Sequence, residues 1–411
     1  MMSIQLAADA AAPPDEKKLK RRKALLSGVG TILFTLLIGF IVGGIIMLLA
    51  GYSPLESYRV MFSGVFGTPK GIATAVVKAL PIIGTGLSIA FANQCGLFNI
   101  GAEGQFTLGT VIAGLAGYFL HLPPFIHPLV VMLLAVLASG GLGALIGFLK
   151  SRFGISEVIA GIMFNWIALY GRNALVVIDG FEKSSNVSYP VQGTARLGVL
   201  SSWRSSVEGK AYLKEHPTLF NIFKVDINWG IVIIPLLVIF IWFLLKKTSF
   251  GYRIKAVGAN PFAAEYAGIN VSQSYMMALF LAGAISGMAG AIQILGVAPH
   301  TVSVLAAQEG YGFDGIAVAL MGMNSPIGCI LSGLLFSVLR YGGTRLQSTM
   351  GVPSETINIM LGFIVLFAGM PGFIATVRKW WNRRKLGQLK KKRESLSTSD
   401  IAEAKGGQSN D

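Results

Sequence analysis

Uncharged apolar blocks, separated by short polar turns, dominate this chain. The stretch "ALLSGVGTILFTLLIGFIVGGIIMLLA" (Ala24 to Ala50) carries no charge over more than the roughly 20 residues a bilayer core requires. Similar blocks recur near 72–93, 102–120, 129–149, 155–178, 229–245, 275–296, 304–323, 327–347 and 355–376. The pattern predicts an all-α fold of about ten transmembrane helices, and an even number places both termini on one side. The first block is too long for a signal-peptide core of about 7–15 residues and has no small-residue cleavage site behind it. It is read as the first span.

Composition supports a polytopic membrane protein: 13% of residues are charged, 53% are apolar and the mean hydropathy is +0.64. Soluble domains carry about 25% charge. The two cysteines and four histidines show no disulfide framework and no metal-ligand spacing, so they are read as structural, with no metal site.

The net charge of +15 is concentrated beside the first and last spans, at Lys17 to Lys23 and in "VRKWWNRRKLGQLKKKR" (Val377 to Arg393). Such clusters anchor topology and attract anionic lipid; nucleic acid is not the expected partner. Orientation follows from the short segments. Six Lys and Arg precede the first span, two lie at Lys150 and Arg152, four lie between Lys246 and Lys255, and ten follow the last span, together 22 of 34. Basic residues are retained inside, so both termini are expected in the cytoplasm.

This divides the chain into a basic N-terminal segment (1–23), a transmembrane domain (24–376) and a basic, polar tail (377–411) expected to be disordered toward its end. The external loop 179–228 has mixed charge and is expected to form a small cap. The cytoplasmic loop 246–274 is punctuated by helix signals.

Two spans carry unusual chemistry. "FNIGAEGQFTLGT" (Phe98 to Thr110) places Asn99, Glu103 and Gln105 among glycines at membrane depth. "GFDGIAVALMG", with Asp314, repeats the outline of "GAEGQFTLG" five spans later. An odd offset reverses direction across the membrane, so an inverted repeat of two five-helix halves is expected, with the two elements near a transport route. Close helix packing through small residues is the competing reading.

Charge inside a span costs about 2.5–3.5 kcal/mol at a helix centre and normally faces protein or water. The charges are Lys78, Glu103, Glu157, Arg172, Glu309, Asp314 and Arg340. Lys78, Glu157 and Arg172 lie near span ends and are read as snorkelling. Asn99, Gln105, Asn165, Gln308 and Tyr311 offer hydrogen bonds to a polar, uncharged solute. There is no GxxxxGK[ST] phosphate loop, so any ATPase resides on another chain.

In the cytoplasmic loop, Asn260 is a good N-cap, Pro261 suits the first helical turn and Gly268 suits the position past the end. "PFAAEYA" is then a helix too short to persist alone in water. Its Ala263, Ala264 and Ala267 are small enough to seat in a groove on another protein. Ser272 is expected to cap the next span.

"FNIGAEGQFTLG", "TSFGYRIKAVGANPFAAEYAGINV" and "GFDGIAVALMGMNSPIG" resemble the permease subunits of bacterial ATP-binding cassette importers of the nucleoside and simple-sugar (branched-chain amino acid/ribose-type) family. The likeness runs from about Leu36 to Gly372. It implies a multi-pass protein of the bacterial cell membrane, without enzymatic chemistry of its own. The implied partners are a second, similar permease, a cytoplasmic ATPase that holds ATP and Mg, and an extracellular substrate-binding lipoprotein. Gly258, Asn260, Pro261, Ala263, Ala264 and Gly268 become the expected ATPase-coupling positions. "FNIGAEGQ" is most similar to the nucleoside branch, with simple sugars next; an ion-coupled secondary transporter is the other class. A nucleoside also needs apolar contact for its base, for which Phe98, Phe106, Phe164, Trp166, Tyr311 and Phe313 are available.

Overall fold

The computed structural model describes residues 14–370; the start of the basic N-terminal segment and the tail 371–411 lie outside the described residues. These fall into two units, residues 14–42 with 366–370, and Gly43–Val365. The first holds most of helix α1 (Pro14–Leu49) and the end of the last helix. The second holds everything that follows.

Within it, α2 (Pro54–Phe66), α3 (Pro69–Asn93), α4 (Ala102–Phe119), α5 (Ile126–Phe153) and α6 (Glu157–Val176) lead to the long loop 179–228. That loop carries a two-stranded ribbon, β1 (Glu182–Ser184) and β2 (Val187–Ser188), and three short helices, α7 (Ser201–Ser205), α8 (Val207–Glu215) and α9 (Pro217–Phe223). Next come α10 (Gly230–Lys247), α11 (Ser249–Ala259), α12 (Pro261–Tyr266), α13 (Val271–Gly296), α14 (Tyr311–Met321), α15 (Pro326–Met350) and α16 (Ser354–Ala368).

Each of the ten apolar blocks contains a helix. Among the described residues, five helices are long and apolar enough to cross a membrane, six if the bent pair Leu33–Leu49 and Pro54–Phe66 counts as one. The chain is an all-α, multi-pass membrane protein apart from the small ribbon. Helices α2 and α11 were not anticipated.

The sharpest departure concerns the block 304–323. Its helix begins only at Tyr311, and an 11-residue helix spans about 16 Å, roughly half of a 30 Å hydrocarbon core. The residues before it are extended because other backbone holds them. Ser188 N–H donates to the Val302 carbonyl (2.8 Å), Val191 N–H to His300 (2.9 Å) and Val304 N–H to Asn186 (2.9 Å). On the other side Asn173 of α6 pairs with both the N–H and the carbonyl of Leu305, at 2.9 and 2.8 Å. Extended backbone at membrane depth is tolerated where protein satisfies it.

Helices α3 and α13 form the centre, with 89% and 78% of their apolar windows buried, against 28% for α10. A helix apolar all round is a core helix. α13 lies against α5 backbone to backbone: a side chain at Gly143 would overlap the Leu279 carbonyl. By contrast α10 presents Leu236, Ile239, Phe240 and Phe243 to the exterior, as a lipid-facing helix does.

Two charges read as snorkelling are instead paired. Glu157 meets Lys150 at 2.6 Å across the α5–α6 turn. Arg172, 2% exposed, pairs with Glu309 at 3.0 Å and donates to the Ser303 carbonyl at 3.2 Å.

Candidate functional site

Two irregular segments enter the core and start helices there. The first is 94–101, between α3 and α4. Asn99 Nδ2 donates to Ser88 Oγ (3.1 Å) and Gln105 Oε1 (2.8 Å), and Gln105 Nε2 returns a bond to Asn99 Oδ1 (3.2 Å). Asn165 of α6 clamps the same turn: its Oδ1 accepts from Gly104 N–H (2.7 Å) and its Nδ2 donates to the Ile100 carbonyl (3.0 Å).

The second is 297–310, ahead of α14. Its end meets the start of α4 through Glu103, whose Oε1 accepts from Gly310 N–H (2.7 Å) and Oε2 from Gly312 N–H (2.5 Å). Only glycine fits at 312, since a Cβ there would overlap the backbone of Glu103; Gly310 adopts φ +87° to turn the chain into the helix. A helix start carries partial positive charge and unpaired N–H groups. Here two starts abut, and one carboxylate lies between them.

The junction is deep. Thr85 Oγ1 of α3 donates to the Tyr311 carbonyl (2.8 Å), while Asn93 and Gln94, at the end of α3, donate to Asn324 beyond α14 (2.8 and 3.0 Å). From Thr85 to Asn93 a helix rises about 12 Å. Segment 94–101 therefore climbs from one face to mid-depth, and 297–310 descends to it from the other.

Asn99, Glu103, Gln105 and Asn165 are all 0–2% exposed and bonded to protein, so in this conformation they face other helices. The more open candidates lie beside them. Tyr311 stacks near Phe106 (4.9 Å between centroids) with the Arg340 guanidinium 5.3 Å from its ring centre, and Asp314 pairs with Arg340. Trp166, 44% exposed, stacks on Tyr170 at 6.0 Å on the outer face of α6. A cavity of about 170 Å³ opens above the start of α14, lined by Lys78, Tyr311, Ser337, Arg340, Tyr341 and Thr344. Ser337, Tyr341 and Thr344 were not singled out from the sequence; their only signal was nearness to the in-span charge Arg340.

The loop 246–274 forms two capped helices. Thr248 Oγ1 accepts from Gly251 N–H and Asn260 Oδ1 from Ala263 N–H, both at 3.1 Å. Gly268 takes φ +81° as the left-handed stop after α12. Asn270, not Ser272, caps α13, accepting from Gln273 N–H at 2.8 Å. Ala264 is also corrected: it is 4% exposed and packs into the protein, which leaves Phe262, Ala263 and Tyr266 on the outer surface. Gly258 of α11 presses on the turn after α3, where a side chain would overlap the Gln94 carbonyl.

The loop 179–228 borders a separate cavity of about 860 Å³, with Arg196, Arg204, Lys210, Lys214 and Lys224 against a single acid, Asp226, in its lining. The Asp226 carboxylate accepts from Ala298 N–H at 3.1 Å, one more tie between this cap and the descending segment.

Residues 71–369 match the family described as the permease component of branched-chain amino acid transport systems. The chain is 34% identical to the guanosine ABC transporter permease NupP of Bacillus subtilis over 362 residues, 88% of this chain and 96% of that protein. It is 32% identical to the nucleoside ABC transporter permease NupB of Lactococcus lactis over 349 residues, 85% and 91% of the two chains. The glucose ABC transporter permease TsgB13 of Haloferax volcanii is 29% identical over 340 residues, 82% and 86%. No solved structure matches. With nearly three hundred consecutive residues matched, two abutting helix starts and a capped helix pair in loop 246–274, the chain belongs to the branched-chain amino acid transport permease family.

Proposed function

We propose that this chain is the transmembrane subunit of an ATP-binding cassette importer that takes up nucleosides. The observation that carries the reading is the pair of abutting helix starts at α4 and α14, reached by irregular segments from opposite faces; discontinuous helices of this kind build transporter solute routes. The relatives named for guanosine and nucleosides supply the substrate class. Simple sugars are the second reading, favoured by the glucose permease at 29% identity.

The finer architecture follows. Residues 24–376 make ten crossings, counting α14 and its extended lead-in as one, in two five-helix halves of inverted topology. The matching first-turn acids, Glu103 after Gly101 and Asp314 after Gly310, support that symmetry. Both termini are cytoplasmic. Thiol labelling of cysteines placed at positions 200 and 260 tests this: an impermeant reagent reaches 200 in intact cells and 260 only after lysis. Labelling of 260 in intact cells reverses the topology.

The partners are a second, similar permease, an extracellular binding lipoprotein and a cytoplasmic ATPase, which carries ATP and Mg. Loop 246–274 couples to that ATPase through α12. Ala263→Trp, on its outer surface, is expected to leave the complex assembled while uncoupling hydrolysis from uptake. Ala264→Trp is expected to lower the amount of folded protein instead, because overpacking a filled site costs about 1–3 kcal/mol. Normal uptake by Ala263→Trp excludes the docking role.

The function is tested by reconstituting both permeases, ATPase and binding protein in proteoliposomes. ATP-dependent accumulation of guanosine or uridine is expected; accumulation of glucose alone selects the sugar reading, and uptake driven by an ion gradient without ATP overturns both.

A further inference from the structure

Lys78 is an exposed ammonium at membrane depth. It lies nine residues into α3, about 13 Å from the helix start. Its Nζ stands 5.4 Å from the centre of the Tyr341 ring on α15, and it has no ion-pair partner among the described residues. Arg340, one residue away on α15, is 42% exposed at its side chain although it pairs with Asp314. Both face the 170 Å³ cavity above α14. Hydrocarbon does not tolerate a surface of this kind; charges at depth face water or protein. The lipid-type surface of α10, with its row of leucine, isoleucine and phenylalanine side chains, shows the contrast.

We propose that this cavity is a solute-recognition site, in which Lys78 and Arg340 bind the acceptor oxygens of a nucleobase edge or its sugar between Tyr311 and Tyr341. The proposal rests on the importer reading and adds to it where the solute is held. Donors outnumber acceptors here. The Lys78 ammonium brings three N–H groups, and an arginine side chain brings five, of which Asp314 occupies part. The serine and threonine hydroxyls are already donating, Ser337 to the Ala75 carbonyl and Thr344 to the Tyr341 carbonyl, both at 2.7 Å, and the Tyr341 hydroxyl accepts from Arg345. A carbonyl-bearing base fits such a lining, since arginine pairs well with the carbonyl and ring-nitrogen edge of a purine. Two tyrosine rings supply flat apolar walls. A space of 170 Å³ holds one ring of such a solute, and the rest extends through the open side of the cavity. The site also adjoins the start of α14, so a shift of that helix changes the site directly.

The test is Lys78→Cys in the reconstituted four-component complex. The native thiols, Cys95 and Cys329, are buried, so background labelling is low. A charged methanethiosulfonate reagent is expected to modify the introduced thiol, and guanosine, with binding protein and ATP present, to slow that modification severalfold. Leu236→Cys on α10 is expected to resist the charged reagent and to react with a membrane-soluble maleimide. In parallel, Lys78→Met is expected to raise the KM for guanosine severalfold with the amount of complex unchanged. Failure of the charged reagent to react, or reaction that guanosine does not slow, overturns the site. Uptake by the unsubstituted complex is read first: without ATP-dependent guanosine uptake the importer reading for nucleosides itself falls, whereas normal uptake with an unprotected thiol removes only this site.

Discussion

Glu103→Leu is expected to abolish accumulation of the folded permease. The substitution removes the acceptor for Gly312 N–H, which is buried, and for Gly310 N–H, which is partly buried. Each buried donor left unpaired costs about 1–3 kcal/mol, and whole domains are stable by only about 5–15 kcal/mol. It also removes the carboxyl group that lies between the two helix starts. Glu103→Gln keeps one acceptor oxygen but turns an amide N–H toward a backbone N–H, so a lower melting temperature and lower yield are expected. The informative quantity is uptake per assembled complex. Because the side chain is sealed between helices, that ratio is expected to stay near normal in Glu103→Gln. Full yield and stability with uptake lost would instead place Glu103 on the solute route.

Gly258→Val is expected to give the opposite pattern: an assembled complex with ATP hydrolysis but little uptake. A valine side chain would run into the Gln94 carbonyl and lie 2.9 Å from the Gly96 nitrogen, so α11 must lift away from the turn that follows α3. Overpacking of about 1–3 kcal/mol, at about 1.4 kcal/mol per tenfold, predicts a fall in coupled uptake of about fivefold to a hundredfold. Gly141→Ala, with open space around it, is the control and should be silent. Uptake within twofold of normal in Gly258→Val would show that the contact transmits nothing.

How far the sequence could carry these conclusions depends on where each determinant lies. Helices α5, α10 and α13 are written in long apolar runs, α3 in one interrupted by Lys78, and the caps of α12 are local, so both were legible. The start of α14 was not. "TVSVLAAQ" is as apolar as a span and passes any hydropathy test, yet it is held extended by residues 186–191 and by Asn173, more than a hundred positions away. The glycines at 310 and 312 marked the true start, but only the position of Glu103, some two hundred residues earlier, explains why both are needed. The same limit applies to the site. Glu103 and Asp314 look alike in sequence; one is sealed by backbone donors and the other is paired with Arg340 beside an open cavity. Ala264 and Ala263 are likewise adjacent and identical, and the turn of the helix alone decides which is inside.

The extended segment before α14 has a mechanical consequence. At one end, residues 300–304 are stitched to the cap formed by loop 179–228 through backbone bonds, and at the other end α14 is tied through Asn324 to Asn93 and Gln94, against which Gly258 rests. A load applied to the cap reaches the 11-residue α14 through the tether 305–310, itself held to α6 by Asn173, and α14 is tied to the turn on which Gly258 rests. Force passes along covalent chain and short bonds, with little slack to absorb it. Lengthening the tether by a few residues would preserve every helix and every side-chain contact at its two ends while disconnecting the outer handle from the inner one.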